Sequence, residues 1–516
     1  MTAISNDELN KSFVAAMKTP SEDIARSIMQ SAGLRGADLE KTISTGTGLV
    51  AYDLQAPAKN LYPVYTPIRN VLPRVGGGIG TATNWKQVTA ITGSGYDSMG
   101  WVPEGQRSGQ MSYTVSNKSA SFVTIGEEDA ATFEAINAGK SFEDIQARMT
   151  MRMLQKLMLK EESGLIFGNT SVQLGTPTTP TLSASSTGAT LPAATYYVVV
   201  VALTGEGWLN ASRSGVLSVA TAKTVTGADG KTYPMNGGSS QKSAEASQAV
   251  TLGQTLFMAT PAIQGAVAYA WYVSTSTTTE TLQAITTINS NAITAPLLAG
   301  NQAATAVTTD ASTNSTAFDG LFTSAAKSGS GAYFSALATG VSGTGNYLTS
   351  SGRGSVNEID AMMLAMWNNY QVSIDVLYVN AQELKNITSR VLSAPGGGSL
   401  LNYFKTPESG EYKLTAGGTI EFYYNPFMAP GAGQRIPIRI HPMIPPGTII
   451  GWAKDLPIQY QSNEVPNVAE ILTRNDYYQI EWPLVTRQRQ VGCYAEEVLA
   501  IYAPFGMGIL TNIANG

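Results

Sequence analysis

Hydrophobic and polar positions change period several times along the chain. Asn6 to Thr19 and Ser21 to Ala32 read as two short amphipathic helices split by Pro20, with Leu9, Phe13, Val14 and Met17 and then Ile24, Ile28 and Met29 as apolar positions. Each is near the length at which an isolated helix is marginal. Gly33 to Pro73 shows no long period and is broken by Pro57, Pro63, Pro67 and Pro73. The pattern predicts either an arm that lies on another surface or a loosely packed tail. After Gly76-Gly-Gly-Ile-Gly the period becomes two: Asn84 to Thr92 and Tyr113 to Ile125 alternate as strands, with Trp85, Val88 and Ile91 in the first and Val115, Phe122, Val123 and Ile125 in the second. A long two-stranded ribbon is predicted, with too little core to be stable alone.

The period then turns helical. Glu127-Glu-Asp-Ala places acids where a helix start would favour them, and Ser141-Phe-Glu-Asp144 reads as the capping box of a longer helix. Phe142, Ile145, Met149, Met153 and Leu157 recur at steps of three and four, and Gly168 is the expected stop. Arg148, Arg152, Lys156 and Lys160 fall four apart and form one basic stripe. Such a stripe is usually solvated or paired with acids; the minority reading is non-specific contact with phosphates, since it lacks interleaved aromatics.

From Ser171 to about Ser315 charges become rare, and Ser, Thr and Ala dominate. Thr195 to Leu203, Ala266 to Ser274 and Leu282 to Ile288 read as strands between turn signals at Gly205, Asp229-Gly230, Asn236-Gly-Gly and Gly265. This segment is expected to be a separate all-β sandwich, with extra length in Lys223 to Ala246. Beyond Phe318 the pattern is α/β: a helix over Ser355 to Tyr370, a buried strand at Asp375 to Val379, and a helix over Ala381 to Leu392. Short strands follow at Ile420 to Tyr424, Ile436 to Ile440, Thr448 to Trp452, Tyr477 to Trp482 and Val498 to Tyr502, punctuated by prolines.

Composition narrows the chemistry. The chain has 516 residues, 32 Lys and Arg against 37 Asp and Glu, one Cys and one His, and only 13% charged residues. Cys493 alone makes no intrachain disulfide, and no Cys/His zinc set exists. No cofactor is implied. Neither glycine cluster, at Gly76 or Gly396, has dinucleotide or P-loop spacing. The pairs Glu161-Glu162 and Glu496-Glu497 and the Glu127 cluster are read as structural, because adjacent helical residues point apart. Gly-x-Ser-x-Gly occurs only in truncated form, at Gly93 and Gly329. His441 is read as a packed residue with no acid beside it in sequence. No enzyme is expected. The start of the chain lacks a basic region followed by an apolar core, so synthesis without export, in a cytoplasm, is expected, and no apolar run is long enough for a membrane. The mild negative charge predicts no bulk attraction to nucleic acid.

The order of these parts resembles the major capsid proteins of tailed phages, which have the Hong Kong 97-type fold. Trp101-Val-Pro-Glu-Gly in the ribbon, Phe122-Val-Thr-Ile-Gly-Glu-Glu at the passage to the helix, Phe167-Gly-Asn at its end and Phe318-Asp-Gly-Leu after the β segment carry the resemblance over residues 1–170 and 318–516. It implies an α+β chain divided into an N-terminal arm (1–75), an extended ribbon or E-loop (76–126), a spine helix with peripheral domain (127–170), an axial domain (318–455) and a return to the peripheral domain (456–516). The insertion (171–317) resembles immunoglobulin-like or fibronectin-type domains through Tyr196-Tyr-Val-Val-Val-Val-Ala-Leu and Gly265-Ala-Val-Ala-Tyr-Ala-Trp-Tyr-Val. With no cysteine pair it must hold by its core. Tyr197, Val199, Val201 and Leu203 are expected to line one face, and Tyr269, Trp271 and Val273 another.

The resemblance further implies self-assembly as pentamers and hexamers, through heterologous contacts, into an icosahedral head around double-stranded DNA, with no sequence recognition. A separate scaffolding protein and a portal are the expected partners. The insertion would face outward, where it could meet a surface ligand or decoration protein. Trp101, Glu104 and Arg107 are the ribbon residues expected between subunits, and the basic stripe is expected to face DNA or a neighbour. The protein would be built into a virion shell in the host bacterial cytoplasm. Lys86 and Lys118 lie in the ribbon, but no pattern selects either for the cross-linking seen in some relatives. The alternatives are a cell-surface or tail adhesin with a carbohydrate-binding β module, for which a secretion signal or tandem modules are missing, and an encapsulin-type compartment, which the large insertion disfavours.

Overall fold

The computed structural model describes residues 63–93, 100–140, 144–185, 188–227, 229–341, 343–352, 354–392, 402–405, 412–415, 419–427, 435–456 and 467–516. The helices expected within 6–32 and the Gly396 cluster lie outside these residues. In chain order, β1 (Arg74–Gly76), β2 (Ala82–Gly93), β3 (Met111–Ser121) and β4 (Val123–Thr132) precede α1 (Phe133–Gly139) and α2 (Ile145–Phe167). The insertion contains β5 (Thr181–Ser185), β6 (Ala194–Leu203), α3 (Gly205–Asn210), β7 (Ala222–Thr226), β8 (Thr232–Asn236), β9 (Ala246–Val250), β10 (Thr255–Ala259), β11 (Ala268–Ser274), β12 (Thr281–Thr286) and β13 (Ser290–Ile293). Then come α4 (Leu321–Ala326), β14 (Tyr333–Ala336), α5 (Asn357–Tyr370), β15 (Val376–Val379), α6 (Ala381–Leu392), β16 (Asn402–Lys405) and β17 (Tyr412–Thr415). The last strands are β18 (Phe422–Tyr424), β19 (Arg435–Ile440), β20 (Ile449–Trp452), β21 (Ala469–Glu481), β22 (Gln488–Ile501) and β23 (Met507–Thr511).

The 23-residue helix α2 begins where Asp144 caps it, its carboxylate accepting the Gln146 and Ala147 N–H groups at 3.0 and 3.1 Å. Asp144 is thus the cap itself and not the third residue of a box. Met149, Met153 and Leu157 bury against Ala131, Val491 and Cys493, while Leu165, Ile166 and Phe167 enter the main core. At Gly168 the backbone turns beneath Phe318, and a Cβ there would lie 2.3 Å from the Phe318 carbonyl oxygen, so only glycine permits this crossing.

Two readings of the passage before α2 are corrected. Glu127, Glu128 and Asp129 lie within strand β4 and do not start a helix. The strand expected from Tyr113 to Ile125 breaks at Phe122 into β3, which pairs with β2, and β4, which pairs with β22. The acids misled because pairing with β22, more than 350 residues on in sequence, outweighs any local helix preference.

β4 closes a four-stranded sheet of order β1-β21-β22-β4. The central sheet has six strands in the order β14-β23-β20-β15-β19-β18, with β15 buried throughout and α5 packing Ile359, Met362, Met363 and Met366 onto it. The segment 456–516 therefore divides: β21 and β22 belong to the first sheet, whereas β23 lies inside the central one.

Beside the two-stranded β7-β8 pair, the insertion builds two packed antiparallel sheets, β13-β10-β5 and β12-β11-β6-β9. Their shared core holds Tyr196, Val198, Val200, Tyr269, Trp271 and Val273 from one sheet, and Leu256 and Met258 from the other. The expected facing of β6 is corrected. Val199 and Val201 point out of the sandwich into the main core with Leu203 and Tyr272, and Tyr197 is half-buried. Register requires this, since Trp271 pairs with Val200 and Tyr272 with Val199. Both faces of β6 are covered, so its unbroken apolar run carries no alternation from which a face can be read.

The insertion meets the rest of the chain at several places, among them its two ends. Phe167, at the end of α2, packs tilted against Phe322 at 5.6 Å and sits so close to Gly205 that a Cβ there would meet its ring at 1.9 Å. At the other end Asn512, at φ 63°, receives the Asn289 N–H at 2.7 Å and donates to Asn289 Oδ1 and to the Leu337 carbonyl at 3.0 and 2.6 Å. Asn289 also donates to the Thr260 carbonyl and the Thr339 hydroxyl at 2.6 and 2.9 Å. Losing the Asn512 side chain removes the partner of both the Asn289 N–H and its Oδ1.

Candidate functional site

The ribbon β2–β3 stands apart from any core of its own. Its two strands pair only with each other over most of their length, with a register shift between Val88 and Ala90. β3 is exposed at nearly every residue, and Met111, Tyr113 and Val115 leave 63%, 60% and 44% of their surface in water. Between the strands, residues 100–110 are all exposed, with Trp101 at 90%. Trp101, Glu104 and Arg107 are thus solvent-facing, as an apolar and charged surface without a partner among the described residues. At the ribbon root Trp85 packs edge-on against Tyr502 at 5.5 Å. A cleft of about 330 Å³ there is lined by Trp85, Lys118, Asp319 and Lys327. Asp319 is already occupied, accepting the Thr170 N–H and hydroxyl, each at 2.7 Å, and the Ser171 hydroxyl at 2.6 Å.

The chain leading into the ribbon is fixed to the spine by a buried charge cluster. Glu161 and Glu162 are 1% and 0% exposed. Glu162 accepts the Ile68 and Arg69 N–H groups at 2.9 and 2.7 Å. His441 Nδ1 accepts the Met443 N–H at 3.2 Å, so its Nε2 carries the proton and donates to Glu162 at 2.8 Å. The sole histidine therefore has an acid partner, 279 residues away in sequence. Glu161 pairs with Arg69 at 2.8 Å and also with Arg74 and the Tyr477 hydroxyl. Arg74 reaches Asp476 and the fully buried Glu497 at 2.6 and 2.9 Å. Burial, reinforced by the Glu161 charge and opposed by Arg74, pushes the Glu497 carboxyl up to about 7. Its second oxygen, Oε1, has no hydrogen-bond partner among the described residues. Burial and the Glu161 contact likewise raise the Tyr477 hydroxyl.

The structural reading of Glu161 and Glu162 stands, but their burial was not anticipated. A signal existed: Leu157, Glu161 and Leu165 lie four apart, as do Met158, Glu162 and Ile166, which puts both acids on apolar stripes of α2. The basic stripe is not uniform. Lys156 and Lys160 both pair with Glu127 of β4, Lys156 at 3.3 Å, while Arg152 is exposed and Arg148 half-exposed. Among the described residues no three His, Cys, Asp or Glu side chains converge as metal ligands, and no helix is long and apolar enough to cross a membrane.

No family model and no curated protein matches the chain. Among solved structures it is similar to the capsid of the native GTA particle, at 10% identity and TM-score 0.38, covering 91% of this chain and 98% of that one. It is similar to the capsid of Myoviridae phage XM1, at 8% identity and TM-score 0.40, covering 92% and 100%. It is also similar to the SrpI encapsulin of Synechococcus elongatus PCC 7942, at 8% identity and TM-score 0.37, covering 91% and 95%.

Proposed function

We propose that this α+β chain is the major capsid protein of a tailed phage, with a Hong Kong 97-type fold carrying an immunoglobulin-like domain. The observation that carries this reading is the ribbon. A two-stranded element of 12 and 11 residues with an exposed Trp101 tip has no core of its own, and a surface from another copy supplies one. Trp101, Glu104 and Arg107 are the ribbon's contacts to that copy. The rigid attachment of residues 63–76 to the spine through Arg69 and Arg74 gives the ribbon a fixed root from which to reach a neighbour.

Copies joined head to tail in this way form rings, and pentamers and hexamers close an icosahedral shell around double-stranded DNA. Arg148 and Arg152, the part of the stripe not paired with Glu127, face DNA or a neighbour. Assembly takes place in the host bacterial cytoplasm with a scaffolding protein and a portal. The immunoglobulin-like assignment is supported by strand order and by one hydrogen bond. β9-β6-β11-β12 follows the C′-C-F-G order of such domains, and β5 and β10 stand where strands B and E would. Tyr269, near the start of β11, accepts the Ile263 N–H at 3.0 Å, as in the tyrosine corner before strand F. Trp271 then occupies the position of the second cysteine, and packing replaces the disulfide. The domain faces outward, available to a surface ligand or decoration protein. Electron microscopy of the protein produced with its scaffolding partner tests the reading: closed particles are expected, and monomers alone contradict it.

A further inference from the structure

Two carboxyl groups meet at one end of the insertion's four-stranded sheet. Ala246, Val198, Val273 and Thr281 form one row across β9, β6, β11 and β12, and Glu245 and Glu280 directly precede the two outer strands of that row. A single backbone N–H, that of Thr278, draws the two carboxyl groups together. Glu280 is 1% exposed, and its Oε2 has no hydrogen-bond donor among the described residues. Thr278 donates one N–H to both acids, at 2.9 Å to Glu245 and 3.1 Å to Glu280, and does so at φ 62°. Positive φ is an outlier for a β-branched residue and persists only where its surroundings enforce it. The Thr277 hydroxyl adds donation to Glu245 at 3.0 Å.

Two ionised carboxylates gathered on one N–H, one of them buried, repel each other, so a proton or a cation between them is favoured. The groups around the pair choose between these. They are donors: the Thr278 N–H, the Thr277 hydroxyl and the positive charge of Lys242. A divalent cation requires further oxygen ligands, and the Ser276 carbonyl nearby is already taken by the Ser274 and Thr279 hydroxyls.

We propose that Glu245 and Glu280 share one proton and form a pH-sensitive latch that clips the starts of β9 and β12 together through the β11–β12 turn. Burial raises the Glu280 carboxyl, which holds the proton and donates it to Glu245; that bond in turn lowers Glu245. The charged groups facing the pair are each other and Lys242. A carboxyl raised in the folded state contributes stability that is complete below its unfolded value of 4.5 and is lost as pH rises through the folded value. Residues 275–279, exposed in the latched state, then open.

Hydrogen–deuterium exchange of the full chain tests this, following the peptide that spans Ser274 to Thr281 and correcting for the intrinsic pH dependence of exchange. Between about pH 5 and about pH 8, protection in the native protein is expected to fall by about tenfold or more. Glu280→Gln, whose amide replaces the donated proton, should hold protection constant over that range, and Glu245→Gln should do the same from the other side. Equal pH dependence in the native protein and both variants overturns the proposal. Restoration of the native protein's protection by calcium alone at the higher pH also overturns it, in favour of a cation site.

Discussion

The ribbon and the insertion are both built of antiparallel strands with polar, small-residue sequences, yet they reach order by opposite routes. β3 leaves nearly every side chain in water, and Trp101 at the tip is 90% exposed. β6 and β11 are buried almost throughout, with one face in the sandwich core and the other in the core shared with α2 and the central sheet. Low charge therefore has no single meaning in this chain. In the insertion it accompanies burial on two faces, and in the ribbon it leaves an exposed apolar surface.

That contrast can be broken most severely from the insertion side. Excising residues 171–315 and rejoining the ends strips Phe167, Phe318 and Phe322 of part of their packing and removes Asn289 from Asn512. Loss of soluble folded protein is the expected outcome, read as soluble yield and thermal unfolding; a cooperative melt like that of the intact chain would show the insertion to be a mere appendage. Next in size are single buried groups. Trp271→Ala, at 0% exposure in the sandwich core, should cost about 3–5 kcal/mol in denaturant unfolding. Glu161→Ala, which removes the buried carboxylate that Arg69 and Arg74 share, should cost about 3–5 kcal/mol.

A smaller effect comes from pH. Glu497 is raised from 4.5 to about 7 in the fold, so the folded state binds more protons than the unfolded state between these values, and its contribution to stability declines as pH rises through about 7. Glu497→Gln should flatten that part of the urea stability profile, by on the order of 1 kcal/mol or more between about pH 5 and about pH 8. Smallest for the monomer is the ribbon tip. Trp101→Ser should change unfolding free energy by no more than about 0.5 kcal/mol, because an exposed side chain makes few contacts, while lowering the yield of assembled particles. A large loss of monomer stability would mean that the tip packs within its own chain.

Much of this architecture was legible from local period. Met149, Met153 and Leu157 marked the spine, Ile359, Met362 and Met366 marked α5, and the compact apolar run at Val376 to Val379 marked β15. The failures share a cause. Glu127 was mistaken for a helix start because its partner strand lies far along the chain, and it also receives Lys156 and Lys160. Val199 and Val201 were given the wrong face because a strand buried on both sides does not alternate. His441 found Glu162, and Asn289 found Asn512, across 279 and 223 residues, distances that no local window spans. Trp101, Glu104 and Arg107 were legible as ribbon residues, and the structure leaves all three exposed.

The central claim is that the bare ribbon is completed by another copy of the same chain. Cryo-electron microscopy of native and Trp101→Ser protein, each produced with the scaffolding partner, tests it most directly. The account predicts closed shells for the native protein, with density for each Trp101 against a neighbouring subunit, and few or no shells for the variant despite an unchanged melting temperature. Equal yields of shells from both proteins, or a native shell in which Trp101 remains in solvent, would contradict it.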